Sequence, residues 1–242
     1  YSNSLNNEQE VADFTDNECV LLANPLSTEM AYLRSSLLPG LLKAVSYNEK
    51  RQNSYFKLFE IGAVHKKDKK SQTNTSESFQ LGLAWYGNSQ PHWRNQLDLD
   101  LFETKGDLNK IFNQLKLKKT RFVLKNMLGF DLYLEIYNRK SKLGFVAVPS
   151  KKISKYYDIR GNIFIAQLSI TSLSSEIDSL KNQFKVPYAY PFINRDIAIL
   201  VDNDVTSEDL FRTIKTCGGE LLVDISLFDL YTDKELGKNK KS

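Results

Sequence analysis

The sequence predicts an α+β protein in which helices pack on a mixed, largely antiparallel sheet. Eight strand-like segments precede residue 175, and most of them follow one another without an intervening helix, which favours antiparallel connections. The segments 142–148 and 162–170 are apolar on both faces. Strands of that kind belong in the interior of a sheet that is covered on both sides.

The predicted strands are rich in aromatic and branched residues and are bounded by polar or glycine-containing turns. In chain order they are 20–27, 55–65, 79–87, 99–106, 121–124, 130–137, 142–148 and 162–170. Residues 66–78 are polar, charged and without periodicity, so we expect them to form the tip of a hairpin.

Helices are predicted between some of these strands. The first covers 30–52, with Ser36 as its expected N-cap and Pro39 in its first turn, where a missing N–H costs little. A second helix is expected to begin at Asp107, because the apolar residues after it follow helical spacing. A short helix is predicted at 151–159.

A polar stretch with two prolines, residues 171–190, is the predicted linker, and it divides the chain into domains 1–180 and 181–242. The second domain should begin with a strand at 195–202. Thr206, with Asp209 three positions on, resembles a capping box and opens a predicted helix that ends at Gly218 and Gly219. That helix is expected to bury Leu210, Phe211 and Ile214, and a strand at 221–231 follows it.

Composition excludes several classes of protein. Hydrophobic residues make up 41% of the chain, enough for a real core, and the net charge of +4 is too small to indicate nucleic-acid binding by itself. Cys19 and Cys217 are too far apart in sequence for a metal motif or a disulfide framework. The start lacks the pattern of a signal peptide, and no apolar run is long enough to cross a membrane. We therefore expect a soluble, cytoplasmic protein without a membrane partner.

No catalytic constellation is visible in the sequence. His65 and His92 have no neighbouring nucleophile or metal partner, so surface or loop positions are expected for both. No glycine-rich phosphate-binding loop precedes a helix. We therefore predict no catalytic residue, no metal site and no cofactor bound by this chain.

The predicted helix around residue 40 is unusually apolar, and two interpretations remain open. Its large aliphatic side chains are either plain core or a surface shared between this chain's sheet and a partner protein. They are Leu37, Leu38, Leu41, Leu42 and Val45. The basic residues Lys238, Lys240 and Lys241 near the end of the sequence are either a solvated terminus or a contact for phosphate groups.

Five segments, taken in order, resemble the β subunit of bacterial phenylalanine–tRNA ligase. They start with "NPLSTEMAYLRSSLLPGLLKAV" and "LFEIG", followed by "HWRNQLDLDLFETKGDL" with Trp93, Phe102, Lys105 and Gly106. The last two are "YPFINRDIAILVD", with Arg195 and Asp196, and "LFDLYTDKELGKNKKS". Single matches of this kind are weak, but five in the family's order cover the chain from about residue 24 to its last residue.

The resemblance implies a class II aminoacyl-tRNA synthetase-like antiparallel sheet without an active site, followed by part of a ferredoxin-like anticodon-binding domain. It implies a catalytic α subunit as partner in an (αβ)2 heterotetramer, with Leu37, Leu38, Leu41, Leu42 and Val45 at the α interface. Phenylalanine tRNA is the other implied partner, with Arg195, Lys238, Lys240 and Lys241 as its contacts. ATP and magnesium would be used by the whole enzyme in protein biosynthesis.

The sequence also departs from the family's pattern. The family's editing and N-terminal tRNA-binding regions have no counterpart, so those activities are not expected here, and only strand, helix and strand of the ferredoxin-like module are present. Two other classes of protein remain as alternatives. One is a freestanding RNA-binding module, and the other is an unrelated α+β enzyme with a deep pocket and perturbed acids.

Overall fold

A six-stranded antiparallel sheet organises the first part of the chain. The computed structural model describes residues 5–7, 10, 14, 19–87, 99–117, 119–177, 191–232 and 239–242. Contacts divide the chain into two units, Tyr1–Asn182 and Gln183–Ser242. In the described residues, none of the helices is long and apolar enough to span a membrane.

The strands and helices are numbered here in chain order. The strands are β1 (Leu5–Asn6), β2 (Tyr32–Leu33), β3 (Tyr55–Lys67), β4 (Thr75–Gly87), β5 (Thr120–Leu124), β6 (Phe130–Asn138), β7 (Ser141–Pro149), β8 (Ile163–Ser169), β9 (Val201–Asp202) and β10 (Lys240–Lys241). The helices are α1 (Leu38–Glu49), α2 (Leu101–Gln114), α3 (Lys151–Tyr156), α4 (Ile170–Glu176) and α5 (Ser207–Cys217).

The large sheet has the strand order β3-β4-β8-β7-β6-β5, so β3 and β5 are its edges. All neighbouring pairs are antiparallel. Strands β7 and β8 lie inside the sheet and are buried on both faces, as the sequence predicts for 142–148 and 162–170. A large antiparallel sheet with helices packed on it is therefore confirmed.

Helices α1 and α3 cover one face of the sheet. Leu42 and Val45 of α1 pack with Ile153 of α3 and with Ala84 and Ile165 of the sheet. The helix approaches β4 closely, because Gly82 has no side chain there. A Cβ at that position would lie 2.8 Å from Leu41 Cδ1.

Helices α2 and α4 cover the other face. Leu108 and Phe112 of α2 and Leu173 of α4 pack on Trp85 and Leu168 of the sheet. Both faces of the central strands are thus filled by side chains, which is the arrangement expected of a three-layer core.

Helix α2 corrects one prediction. Residues 99–106 were expected to form a strand, with Asp107 opening a helix, but α2 begins at Leu101 and Asp107 lies within it. Asp100 is the N-cap, and its Oδ1 accepts a hydrogen bond from the N–H of Glu103 at 2.8 Å. Thr104 and Leu108, four residues apart, are buried on the sheet. The alternating leucines suggest a strand, but the cap and the helical spacing determine the structure.

The start of α1 also differs from the prediction. The expected helix over 30–52 is shorter, because Tyr32–Leu33 forms β2 and the helix begins at Leu38. The N-cap is Leu37 and not Ser36 as predicted, although the Ser36 Oγ accepts a hydrogen bond from the N–H of Leu38 at 3.1 Å. The expected strand at 20–27 is only a single bridge between Leu21 and Tyr32.

In the second unit, helix α5 is confirmed but two predicted strands are wrong. Thr206 caps α5 by accepting a hydrogen bond from the N–H of Asp209 at 3.2 Å, and Gly218 ends the helix. Of 195–202 only Val201–Asp202 is a strand, paired with Lys240–Lys241, and 221–231 contains none. A strand needs a neighbour for its backbone groups. Within 221–231, only Tyr231 is described as having one, through reciprocal backbone hydrogen bonds with Ser242 at 2.7 and 2.9 Å.

Other predictions have mixed outcomes. The strands at 55–65, 79–87, 121–124 and 130–137 are confirmed, and the short helix at 151–159 exists as α3. Helix α4 occupies the start of the predicted linker, and 178–190 lies outside the described residues. Leu210, Phe211 and Ile214 of α5 are half-buried rather than buried, since little of the second unit's described chain covers them.

Replacing Leu42 by Ala tests the packing of α1. The side chain is fully buried, and its loss should lower the free energy of unfolding by about 2–5 kcal/mol through lost burial and a residual cavity. The matched control on the same helix is Tyr47→Ala, because that ring is 58% exposed. Urea unfolding measures both. An equally small effect of the two substitutions would contradict the core role of Leu42.

Candidate partner and RNA interfaces

The five aliphatic residues predicted at the α interface lie in this chain's own core. They are between 0% and 3% exposed, and they face the sheet. They are Leu37, Leu38, Leu41, Leu42 and Val45. A partner would therefore meet the opposite side of α1, and contact between this helix and an α subunit stays a prediction.

The outward side of α1 is polar. Lys43 and Tyr47 are exposed, and Lys43 forms an ion pair with Glu10, whose own side chain is 2% exposed. The guanidinium of Arg51 lies 3.3 Å from the centroid of the Tyr47 ring. A shallow pocket of about 580 Å³ borders this surface and is lined by residues of both charge signs, including Glu10, Glu29 and Lys43.

Arg34 covers one end of the outer edge of β3. Its Nε donates to the carbonyl of Ala63 at 2.7 Å, and its carbonyl accepts from the N–H of His65 at 2.8 Å. Its guanidinium also pairs with Glu60 at 2.6 Å, with both side chains largely buried. Gly62 makes room for this guanidinium, since a Cβ there would lie 2.1 Å from one of its nitrogens.

The rest of this edge is open in the described structure. The backbone N–H and C=O groups of successive residues in a strand point to alternate sides. The backbone groups of Ala63 and His65 point away from β4, toward Arg34, so those of Ile61, Phe59 and Lys57 point the same way. Within the described ranges no strand pairs with them. Phe59 and Ile61 are 73% and 60% exposed, and the nearby Phe79 is 52% exposed. An open edge with large apolar side chains is a typical surface for strand pairing with another protein.

A charged cluster holds α2 on β3 and β4. Lys57 Nζ lies 2.5 Å from Asp107 Oδ2 and 3.1 Å from Glu103 Oε1. The Trp85 indole N–H donates to the same Asp107 oxygen at 3.1 Å, and Tyr55 donates to Glu103 at 3.3 Å. The cluster therefore links a strand at the sheet edge to the helix that covers the adjacent face.

The charges of this cluster support each other. Burial acts to lower the pKa of Lys57, but hydrogen bonds with Asp107, Tyr55 and Glu103 outweigh it and raise that pKa. Burial acts to raise the pKa of Asp107, but hydrogen bonds from Lys57, Lys110 and Trp85 hold it below its ordinary value. Both groups are thus ionised at neutral pH, and the cluster acts as a structural ion-pair network.

The predicted tRNA contacts fall in the second unit. Arg195 and Lys240 are exposed, whereas Lys241 is half-buried and donates to the carbonyl of Asn203 at 2.8 Å. The described contacts do not join Arg195 to either lysine. Lys238 lies outside the described residues, as do His92 and Trp93.

The described part of the chain offers little for catalysis. His65 is half-buried in β3, and among the described residues no three His, Cys, Asp or Glu side chains converge to hold a metal ion. The central strands of the described sheet are covered by side chains on both faces.

Comparison with solved structures shows the class of fold. Two structures of pyrrolysyl-tRNA synthetase from Desulfitobacterium hafniense are similar, with TM-scores of 0.55 and 0.56. They are 14% and 13% identical in sequence, and the matches cover 72% and 76% of this chain and 58% and 66% of theirs. The matched part of this chain therefore shares the fold of these two structures.

Comparison with protein families narrows the class. The model for "Phenylalanyl tRNA synthetase beta chain CLM domain" matches residues 1–170, and the model for "Ferredoxin-fold anticodon binding domain" matches 189–242. The chain belongs to the phenylalanyl-tRNA synthetase β chain family, as the sequence resemblance predicts.

Curated relatives agree with this membership. Phenylalanine–tRNA ligase β subunits from Buchnera aphidicola and Haemophilus influenzae are 30% identical over 95% and 93% of this chain. The β subunit from Bacteroides thetaiotaomicron is 29% identical over 95% of it. The chain spans 29% of the length of each of these three relatives.

The substitution Asp107→Asn tests the charged cluster. It should lower the free energy of unfolding by about 1–3 kcal/mol at neutral pH, because Lys57 loses its ionised partner. Since the folded pKa of Asp107 is depressed, the difference from wild type should be complete above the unfolded pKa of about 4. It should then shrink as the pH falls through the folded pKa. Urea unfolding across this range, with exposed Asp131→Asn as the control, measures the effect, and a pH-independent difference would contradict it.

Proposed function

We propose that this chain is a non-catalytic part of the β subunit of a phenylalanine–tRNA ligase. The observation that carries the proposal is the tandem match of two family models, the β chain domain over 1–170 and the anticodon-binding domain over 189–242. The first unit would scaffold the catalytic α subunit in an (αβ)2 heterotetramer, and the second would contribute contacts to phenylalanine tRNA.

The filled sheet supports a division of labour between subunits. In the described residues, α2 and α4 occupy one face of the central strands and α1 and α3 the other, and the Trp85–Asp107 hydrogen bond fixes α2 in place. ATP and magnesium would then be used at the catalytic α subunit rather than on this chain.

The outer edge of β3 is the surface that best suits the α subunit. Its backbone groups at Lys57, Phe59 and Ile61 are directed outward, and the side chains of Phe59 and Ile61 are exposed apolar area beside them. A strand of the partner placed there would gain main-chain hydrogen bonds and cover both side chains. The aliphatic side of α1 instead packs on β3 and β4 inside this chain and holds the edge strand in place.

The double substitution Phe59→Lys/Ile61→Lys tests this interface. It places two charges where the partner strand would pack, so we expect recovery of the complex with a coexpressed α subunit to fall about tenfold or more. The control is Leu124→Lys/Leu128→Lys at the opposite edge of the sheet, where the side chains are 65% and 97% exposed.

Affinity copurification measures assembly, and thermal unfolding of each variant alone checks folding. Full recovery of the complex with the Phe59 and Ile61 variant would refute the β3 interface. A loss of assembly with Leu41→Asp would not identify an interface, because that side chain is 3% exposed and the variant would disrupt the core.

A second test concerns the tRNA contact of the second unit. Arg195→Ala/Lys240→Ala removes two exposed positive charges, so the salt dependence of log K for a phenylalanine tRNA transcript should decrease in slope by about one to two. Lys69→Ala/Lys70→Ala in the β3–β4 turn removes the same charge from the other unit and serves as the control. Filter binding at several salt concentrations gives the slopes, and equal slopes for both variants would contradict the assignment.

A further inference from the structure

The positive charge of this protein is concentrated in one short region. Residues 115–142 contain eight basic and two acidic residues, a net charge of +6, whereas the whole chain carries +4. The remainder is therefore net −2. The region runs from the end of α2 through β5 and β6 to the start of β7, at the edge of the sheet opposite β3.

The sheet arranges part of this charge in a row around an aromatic ring. Arg121 of β5 lies opposite Tyr137 of β6, which lies opposite Lys142 of β7, so the three side chains share one face. The guanidinium of Arg121 is 5.2 Å from the centroid of the Tyr137 ring. Arg121 and Lys142 are exposed and Tyr137 is half-buried.

More basic residues adjoin this row at the same end of the strands. Lys119 is exposed at the start of β5, and its carbonyl accepts a hydrogen bond from the N–H of Arg139 at 3.2 Å. Arg139 and Lys140 form the turn between β6 and β7, and both are exposed. Two strands and a turn therefore place five basic side chains within one small surface, which we call the β5–β7 basic surface: Lys119, Arg121, Arg139, Lys140 and Lys142.

Among the described residues, Glu135 is the carboxylate that lies within this surface. Glu135 pairs with Lys142 and accepts a hydrogen bond from the Tyr137 hydroxyl at 2.8 Å. The bond from Lys142 holds the pKa of Glu135 below its ordinary value, so the carboxylate is charged at neutral pH. It neutralises one of the five basic groups and orients the tyrosine ring. Glu176 instead belongs to α4 on the other side of the sheet, where it accepts from Asn138.

We propose that the β5–β7 basic surface binds the phosphate backbone of RNA, as a second RNA contact separate from the one in the anticodon-binding unit. Closely spaced Arg and Lys side chains attract phosphates and release their counterions, and an aromatic ring between them provides a stacking surface for a base. The inference rests on the proposed function, because that function makes tRNA the polyanion presented to this chain.

The test uses the full chain and a fluorescein-labelled phenylalanine tRNA transcript, with anisotropy measured between about 50 and 200 mM KCl. Arg121→Glu/Lys140→Glu should raise the Kd at least tenfold and reduce the salt slope by about two. The matched control is Lys151→Glu/Lys152→Glu, an equal charge change on α3, which follows the other end of β7 about 27 Å away. The control should change the Kd less than twofold.

Glu135→Gln provides a test with the opposite sign. Removing this carboxylate frees Lys142 and adds one net positive charge, so binding should become about two- to threefold tighter. Misfolding cannot produce that gain. Equal Kd values for the Arg121 and Lys151 double variants, or no gain with Glu135→Gln, would overturn the inference.

Two further outcomes separate this proposal from others. If Arg195→Ala/Lys240→Ala leaves the Kd unchanged while Arg121→Glu/Lys140→Glu raises it, the contact in the anticodon-binding unit fails and the basic surface stands. If instead Arg195→Ala/Lys240→Ala raises the Kd and Arg121→Glu/Lys140→Glu does not, the basic surface is refuted and the contact in the anticodon-binding unit stands. If the Arg121 and Lys140 substitutions abolish binding to phosphatidylserine vesicles but not to the transcript, the surface binds anionic lipid and the RNA inference is wrong.

Discussion

The packing of α1 on β3 and β4 is the contact on which the rest of the first unit depends. Gly82 leaves room for Leu37 and Leu41 to pack close to the strand, since a Cβ there would lie 2.8 Å from Leu41 Cδ1 and 3.1 Å from Leu37 Cβ. The aliphatic side of the helix is therefore buried against this chain's own sheet, and only its polar side faces solvent. It also places Arg34, just before the helix, over Gly62 and the end of the β3 edge. The same packing therefore determines which surface is core and which part of the edge stays open.

The two faces of the sheet are filled by different means. On the α1 side, apolar packing is joined by hydrogen bonds at the two ends of the helix, from Ser36 to Gln167 and from the N–H of Gly161 to Glu49. Helix α2 is held in addition by an ion-pair network through Lys57 and Asp107, to which Trp85 donates a hydrogen bond. A polar network of this kind specifies one position of a helix more strictly than apolar contacts do, because each hydrogen bond has a required direction. The central strands of the described sheet are therefore covered on both faces, and its exposed strand surfaces lie at its two edges.

The sequence was sufficient for the parts of the fold that are determined locally. The long hairpin of β3 and β4 and the doubly covered strands β7 and β8 follow from residue patterns alone, and so does the cap of α5 at Thr206. Helix α2 was missed because Leu99 and Leu101 alternate like residues of a strand, although Asp100 followed by Glu103 is a recognisable helix start. The segments 195–202 and 221–231 have strand composition, but composition does not supply a neighbouring strand.

The candidate surfaces were harder to predict, since they depend on contacts between distant residues. Helical spacing around Leu41 cannot tell whether the partner surface is the chain's own sheet or another protein. The open edge of β3 depends on the order of six strands, and the row of Arg121, Tyr137 and Lys142 depends on the register of three. The charge excess of residues 115–142 is countable from the sequence, and it is the signal that could have indicated the basic surface.

The open edge of β3 also has a consequence for how the cell must handle this protein. Within the described structure, this strand is unpaired along its outer edge and exposes Phe59 and Ile61, which makes it a template for another extended chain, including a second copy of itself. Lys66 and Lys67 place two positive charges at one end of that strand, and such charges oppose edge-to-edge pairing between copies. If the proposed α subunit covers this edge, synthesis of this chain in excess of that subunit would leave the strand open to such contacts. Balanced production of the two chains would then limit aggregation as well as serve assembly.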